Sequence, residues 1–229
     1  RWSGSADQNP LSGGVPAFHF DQIRNTEQWA VFGELTYEMT DQLSATFGGR
    51  YFDYERAEIQ TAIASGNILR INEPLPLLEE TGQIYKAVLN YAANDNVLLY
   101  GSVSQGFRLG AGGQVAQQAC DAIDITVGAI ESDSSDNIEL GVKTSLADNR
   151  VTFNAAVFSI DWEDIPVLIV TNDCARTLNA GKARSEGVEL EVQAQLTENI
   201  RIDVSASYTD MTLSEDAPTL GAGAVKGAN

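Results

Sequence analysis

The sequence predicts an all-β chain whose strands form part of an antiparallel transmembrane β-barrel. Three features point there: period-two alternation of apolar and polar residues, strands longer than soluble sheets use, and connections that alternate between short turns and long loops. Helix periodicity is poor almost everywhere, whereas the alternation recurs. Leu43, Ala45, Phe47, Gly49 and Tyr51 share one face, and Ser44, Thr46, Gly48 and Arg50 share the other. Ile138, Leu140 and Val142 oppose Glu139 and Lys143. Val188, Leu190, Val192 and Ala194 oppose Glu189, Glu191, Gln193 and Gln195. Ile200, Ile202, Val204, Ala206 and Tyr208 oppose Arg201, Asp203, Ser205, Ser207 and Thr209.

Taken in order, residues 1–25 read as a long loop, followed by strands near 27–39, 43–62, 82–93, 97–109, 136–146, 150–170, 178–196 and 200–213. Crossing a hydrocarbon core on a tilted strand takes about 9–11 residues, against a mode of about 5–6 in soluble sheets. Trp29, Tyr37, Tyr51, Tyr85, Tyr91 and Tyr208 sit near strand ends on the apolar face, where aromatic girdles would place them. Short polar turns fall at Thr40-Asp41-Gln42, Asn94-Asp95-Asn96, Ala147-Asp148-Asn149 and Thr197-Glu198-Asn199. Long connections lie at Ser65–Glu80, Ala111–Ser134, Asn172–Thr177 and from Ser214 onward. Short turns at one end and long loops at the other are the asymmetry of an outer-membrane barrel. The phase is least secure between Ala156 and Trp162, where Phe158, Ile160 and Trp162 fall on the polar face; a β-bulge or a packed lumen would account for it.

Composition narrows the function classes. The 229 residues carry a formal charge of −18, which repels phosphate backbones and argues against nucleic-acid binding. No uncharged apolar run approaches the ~18 residues of a membrane-spanning helix. The first residues show no signal peptide, as expected of a chain that begins in mid-protein. A soluble β-sandwich is the alternative, since alternation alone does not separate inside-out from outside-in. Small residues on the apolar face (Gly33, Ala45, Gly49, Ala87, Ala155) favour lipid contact, because they would pack a sandwich core loosely. Charges of both signs on the polar face, from Glu34 and Arg50 to Arg201 and Asp203, suit a wet barrel interior.

Five segments in order resemble the TonB-dependent outer-membrane receptor family. They are Glu27–Tyr37 running on to Gly48-Gly49-Arg50-Tyr51-Phe52, Tyr100–Gly110 with its Gly-Phe-Arg, Asn137–Lys143, Val157–Ile165, and Asn179-Ala180-Gly181-Lys182-Ala183-Arg184-Ser185-Glu186-Gly187-Val188-Glu189-Leu190-Glu191. The resemblance implies that residues 1–229 are a fragment of the receptor's barrel domain, about 8 of about 22 strands, without the plug domain and the closing C-terminal strands. It implies the outer membrane of a Gram-negative bacterium, contact with lipid, energy delivered by TonB through the missing N-terminal part, and uptake of a scarce nutrient such as an iron-siderophore. A passive outer-membrane pore is the alternative within the membrane. The resemblance carries no enzyme activity and no resident cofactor.

The candidate ligand-binding residues are Arg50, Lys86, Arg108 and Lys143, basic groups in the lumen or at its mouth that suit an anionic chelate; contacts with the plug explain them equally well. Cys120 and Cys174 fall in exterior loops of an oxidising compartment, which predicts a loop-to-loop disulfide, with unbridged thiols, or partners in the missing segments, as the alternatives. Glu189 and Glu191 project from one strand face and read as lumen lining, on the plug side in the resembled family, rather than as a convergent catalytic pair. The glycine-rich Gly106–Gly113 matches neither dinucleotide-binding nor Walker spacing and reads as a flexible loop. Glu131–Asp136 lacks calcium-loop spacing. With His19 the only imidazole and no Cys/His ligand pattern, no metal site or hydrolase triad is expected.

Overall fold

Alternation over this length gives each strand two chemically distinct faces, and short polar turns return the chain directly beside itself. A meander is the result. The computed structural model describes residues 2–5, 18–64, 67–111, 129–171, 174–179 and 181–214. Among these are twelve strands and no helix: β1 (Trp2–Ser5), β2 (Phe18–Glu38), β3 (Leu43–Ala64), β4 (Asn67–Pro74), β5 (Leu78–Asn94), β6 (Val97–Arg108), β7 (Asp133–Leu146), β8 (Val151–Glu163), β9 (Pro166–Thr171), β10 (Cys174–Asn179), β11 (Ala183–Thr197) and β12 (Ile200–Leu213). One sheet runs β1-β2-β3-β5-β6-β7-β8-β11-β12, every neighbour antiparallel, with β4 on the upper end of β3. The pair β9–β10 is a separate two-stranded hairpin.

The eight expected strands are β2, β3, β5, β6, β7, β8, β11 and β12, and several limits move. The first strand begins at Phe18 rather than near 27, and residues 2–5 pair with it. The expected strand 150–170 is broken at Asp164, whose φ of 58° lies in the left-handed region and turns the chain out of the sheet. Its second half becomes β9, which folds back on β10, so the strand expected over 178–196 starts afresh at Ala183. The long connection after β3 contains β4 and ends at Leu78.

Register converts alternation into a membrane geometry. Directly paired residues share a face, so the pairs Leu35↔Phe47↔Ala87↔Val103↔Ile138 trace one apolar row across five strands. That face is uncovered: Leu35 is 69% exposed, Leu140 60% and Val204 56%. A sandwich would bury these side chains, so the apolar face looks outward. Tyr37 and Tyr91 border the apolar band on the turn side; Trp29, Tyr51, Tyr85 and Tyr208 border it on the loop side. Trp29 and Tyr51 are in ring contact at 5.5 Å. From Leu43, opposite Tyr91, to Asp53, opposite Trp29, is roughly 33 Å along β3 at about 3.3 Å per residue, or roughly 25 Å of height at a barrel's usual tilt. That matches the apolar belt of outer-membrane barrels. Beyond the rim the same face turns polar, at Asp53, Thr81, Gln105, Asp136, Asp161 and Asp210.

The uncertain phase in β8 resolves without a bulge. Pairing of β8 with β7 and with β11 is unbroken from Val151 to Trp162, so Phe158, Ile160 and Trp162 do face the polar side. Phe158 lies flat across Gly187 of β11, where a Cβ would sit 2.5 Å from its ring. Tyr100 covers Gly141 in the same way, and Phe52 covers Gly82. Each ring uses the missing side chain of its cross-strand partner as a bed.

The turn ends are capped by their own side chains. Thr40 Oγ1 accepts from the backbone N–H of Gln42 and Leu43, Asn94 Oδ1 from Asn96, and Thr197 Oγ1 from Asn199. In the third turn Ala147, Asp148 and Asn149 all have positive φ. Replacing Leu140, in mid-band, by arginine is expected to destabilise the full-length protein in lipid by about 2–4 kcal/mol, while Ser102→Arg on the opposite face costs less. Denaturant unfolding from bilayers checks this, and equal losses would overturn the facing.

Candidate functional site

Above the aromatic rim the polar face carries a dense network instead of isolated charges. In β3 the alternation continues past the apolar band as Phe52, Tyr54, Arg56 and Glu58, all on the polar side and all buried. Their partners come from distant segments. Tyr54 Oη donates to Glu80 Oε2 at 2.5 Å and touches Ser132 Oγ at 3.0 Å; Ser132 Oγ donates to the same carboxylate oxygen at 2.7 Å. The Gly110 N–H donates to Tyr54 Oη (3.1 Å) and Ser132 Oγ (3.2 Å), and its carbonyl accepts from Arg56 Nη1. Glycine is needed at 110 because a Cβ would run into the Ile130 carbonyl and Leu78. One residue further, Ala111 and Ile130 exchange two backbone hydrogen bonds at 2.8 Å, closing the base of the loop between β6 and β7.

Two charged clusters flank this knot. Glu58 pairs with Arg24 Nε at 2.7 Å and accepts from Gln22 Nε2, while Arg56 Nε donates to Thr26 Oγ1 at 3.1 Å. Asp133, 3% exposed, pairs with Arg108 and accepts from Trp162 Nε1 at 3.1 Å; the Arg108 guanidinium lies 5.3 Å from the centre of the Trp162 ring. Burial pushes the Tyr54 hydroxyl above its ordinary range, and its bond to Glu80 adds to the effect. Burial, and then the charge of Arg24, lower Arg56 below its ordinary value.

A third loop joins through one amide. Asn179, at the end of β10, accepts from the Glu131 N–H and donates to the Glu131 carbonyl, both at 2.9 Å, and donates to the Asp164 carbonyl at 2.8 Å. Its side chain thus pairs with Glu131 as a neighbouring strand would. The chain through Asn179, Glu131, Ser132 and Asp133 therefore ties the β9–β10 hairpin to the knot around Gly110.

Where β6 approaches this knot it leaves β5. Their ladder ends at Lys86↔Ser104, whereas β6 stays paired with β7 up to Arg108↔Asp133. At the split, Gln105 Oε1 accepts from the Tyr85 N–H at 3.2 Å and its amide donates to Asp136 at 3.1 Å. The Phe107 ring stacks on Phe52 at 3.9 Å, adding apolar contact to the cluster of Phe52, Tyr54 and Leu78.

Lower down, the polar face is a wall of short hydrogen bonds. Tyr100 Oη donates to Glu139 at 2.6 Å, Lys143 lies 5.2 Å from the centre of the Tyr100 ring, and Asn154 and Gln193 both donate to Glu191. The four basic residues singled out in the sequence all occupy this face but not one place. Lys143 is beside Leu98 near the turns and Arg108 is at the mouth, ten residues or roughly 33 Å apart along β6. Lys86 is paired with Glu34, and Arg50 Nε is buried without a hydrogen-bond partner among the described residues. Cys120 and the side chain of Cys174 lie outside the described residues, so the expected disulfide does too, as does the Val115–Gln118 segment. Among the described residues no group of three or more His, Cys, Asp and Glu side chains is placed to hold a metal ion. Arg24, Tyr54, Arg56, Glu58, Glu80 and Asn179 were not candidates from the sequence, and Asp133 entered only within the Glu131–Asp136 segment weighed for calcium. The available signal was the polar-side run Phe52, Tyr54, Arg56, Glu58, which prolongs a strand beyond the membrane.

A family model described as TonB dependent receptor-like, beta-barrel, matches residues 1–228. The chain belongs to that family. Members are outer-membrane receptors of Gram-negative bacteria, so the apolar face meets lipid, the short turns lie on the periplasmic side and the polar face lines the lumen. The "Ferrioxamine B receptor" of Salmonella typhimurium is 25% identical over 215 residues, covering 92% of this chain and 27% of the receptor. The "Metal-pseudopaline receptor CntO" of Pseudomonas aeruginosa is 25% identical over 179 residues, covering 78% of this chain and 23% of the receptor. The chain thus spans about a quarter of the length of these relatives. Among solved structures, the ferric yersiniabactin uptake receptor FyuA from Yersinia pestis superposes with a TM-score of 0.72 at 22% identity, over 94% of this chain and 31% of FyuA.

Two outcomes are expected of the mouth network. Asn179→Ala removes the clamp on Glu131, worth about 1–2 kcal/mol of local opening, and raises protease cleavage in the loop after Gly110 by roughly 5–30-fold in the intact receptor, with membrane insertion unchanged. An unchanged cleavage rate would show that the clamp does not hold the loop. Tyr54 lies on the exterior side of the membrane and its folded-state pKa is raised above the ordinary 10.0. The neutral hydroxyl therefore supplies stability below that pH, which is lost as pH rises through the folded value. Tyr54→Phe removes this alkaline loss, measurable as a smaller fall in unfolding temperature between neutral pH and the alkaline range.

Proposed function

We propose that this chain is part of the wall and mouth of an energy-coupled uptake receptor for a metal chelate, an iron-siderophore being the class that fits best. The observation that carries the reading is the ordered mouth. Three loop segments are tied together above the membrane by polar bonds, buried around Gly110 and exposed at Asn179, next to arginines that face the lumen. A relative named for ferrioxamine B and one named for metal-pseudopaline support the chelate class. In this reading Arg108 acts at the mouth, and Arg50, Lys86 and Lys143 line the route or meet a plug domain inside the barrel. TonB is the partner that supplies energy, and the work done is transport rather than bond-making chemistry.

The test is growth under iron limitation. Deleting the native gene is expected to abolish growth on at least one ferric siderophore from a panel of hydroxamates, catecholates and carboxylates. Growth should return with the intact gene and fail in a strain lacking TonB. Uptake that persists without TonB, or solute permeation through the purified protein in liposomes, would overturn the proposal in favour of a passive pore.

A further inference from the structure

Arg24, Arg56 and Arg108 do not touch one another in sequence, yet all three bound one cavity of about 480 Å³ at the mouth. Leu109, Ala111, Ile130 and Pro166 also line it, with Glu131 and Asp133 on its wall. The ion pairs around it leave one arginine out. Arg24 has Glu58 and Arg108 has Asp133. Arg56 is the most enclosed of the three, at 9% exposure, and its hydrogen bonds go to a hydroxyl and a backbone carbonyl, both neutral. No carboxylate forms an ion pair with it among the described residues; Glu58, which lies near enough to be felt, is already engaged by Arg24. A guanidinium held this far from water without a counter-ion is costly, and an incoming anion relieves that cost. Arginine's planar fork also matches a carboxylate better than a point cation would.

We infer that the cavity bounded by Arg24, Arg56 and Arg108 is a subsite for a carboxylate group of the ligand, so that the chelate taken up is a carboxylate-bearing, net-anionic one. This rests on the uptake-receptor reading above and narrows it. A bound carboxylate sits against Arg56 as its missing counter-ion. Arg24 and Arg108, half exposed and reachable from the lumen, supply the outer positive field. Asp133 is engaged by Arg108 and Trp162, which leaves Glu131 as the wall carboxylate that an incoming anion must avoid, and that keeps the anion on the Arg56 side of the cavity.

The test uses the full-length receptor purified in detergent, with binding read by titration calorimetry. The probes are ferric citrate, an anionic carboxylate chelate, and ferrioxamine B, a cationic hydroxamate chelate. The parent is expected to bind ferric citrate at least tenfold more tightly than ferrioxamine B. Arg24→Gln should weaken ferric citrate binding about fivefold and Arg56→Gln at least tenfold. Arg56→Lys should recover part of the loss, and Arg201→Gln, on the lumen wall away from the cavity, should change nothing. If Arg56→Gln fails to insert, Arg56→Lys decides, because it keeps the charge and should still weaken ferric citrate binding through loss of the planar fork. Preference for ferrioxamine B, or ferric citrate binding that ignores both Arg56 variants, overturns the subsite. The uptake-receptor reading fails separately, if deletion of the gene leaves growth on every ferric chelate unchanged.

Discussion

Everything in this chain answers to one constraint: inside hydrocarbon a backbone N–H or C=O has no water to turn to, so each must pair with a neighbouring strand. That demand sets the length of the strands, forbids gaps in register through the apolar band, and makes the antiparallel hairpin the repeating unit. Side chains are then sorted by parity alone. A residue's position along a strand decides whether it meets lipid or lumen, and one slipped residue would exchange the two faces entirely. The continuous register from β2 to β12, broken only near turns and at the mouth, is how the chain meets that demand.

Above the band the constraint relaxes, and the chemistry changes with it. There backbone groups are free to accept partners from side chains, and they do. The Gly110 peptide is held by Tyr54, Ser132 and Arg56, the Glu131 peptide by Asn179, and the Tyr85 N–H by Gln105. Side chains take over from the ladder where the membrane ends. This substitution lets loops from widely separated parts of the sequence be fixed in place without extending the sheet. It also explains why buried polar groups gather at the mouth while the band itself contributes little conventional core.

The membrane part of this design was legible in the sequence because it is periodic and local. Leu43–Tyr51 or Ile200–Tyr208 display their facing in nine residues, and the turn residues announce the returns. What escaped was non-local or broke the period. Tyr54 meets Ser132 across 78 positions, and no pattern within β3 foretells that partner. Phe158 and Trp162 looked out of phase because parity alone assigns rings to lipid. The glycine that beds Phe158 lies on another strand, visible only once Gly187 is placed beside it. The break at Asp164 escaped for a different reason: its apolar continuation, Val167–Val170, reads as more of the same strand until the chain is seen to fold back. The candidate basic residues were found by facing, which parity gives, but their grouping depends on height along the barrel, which parity does not.

The split between β5 and β6 has a mechanical consequence. Since the last four residues of β6 are zipped to β7 and not to β5, the top of β6 is a tab cut into the wall on one side only. A force on the loop that follows is shared between the Gly110 contacts with β3 and the β6–β7 ladder, which it loads in shear. The top of the β5–β6 seam carries only the Gln105 bond to the Tyr85 N–H, so the ladder below Lys86 is the last part of that seam to feel the load.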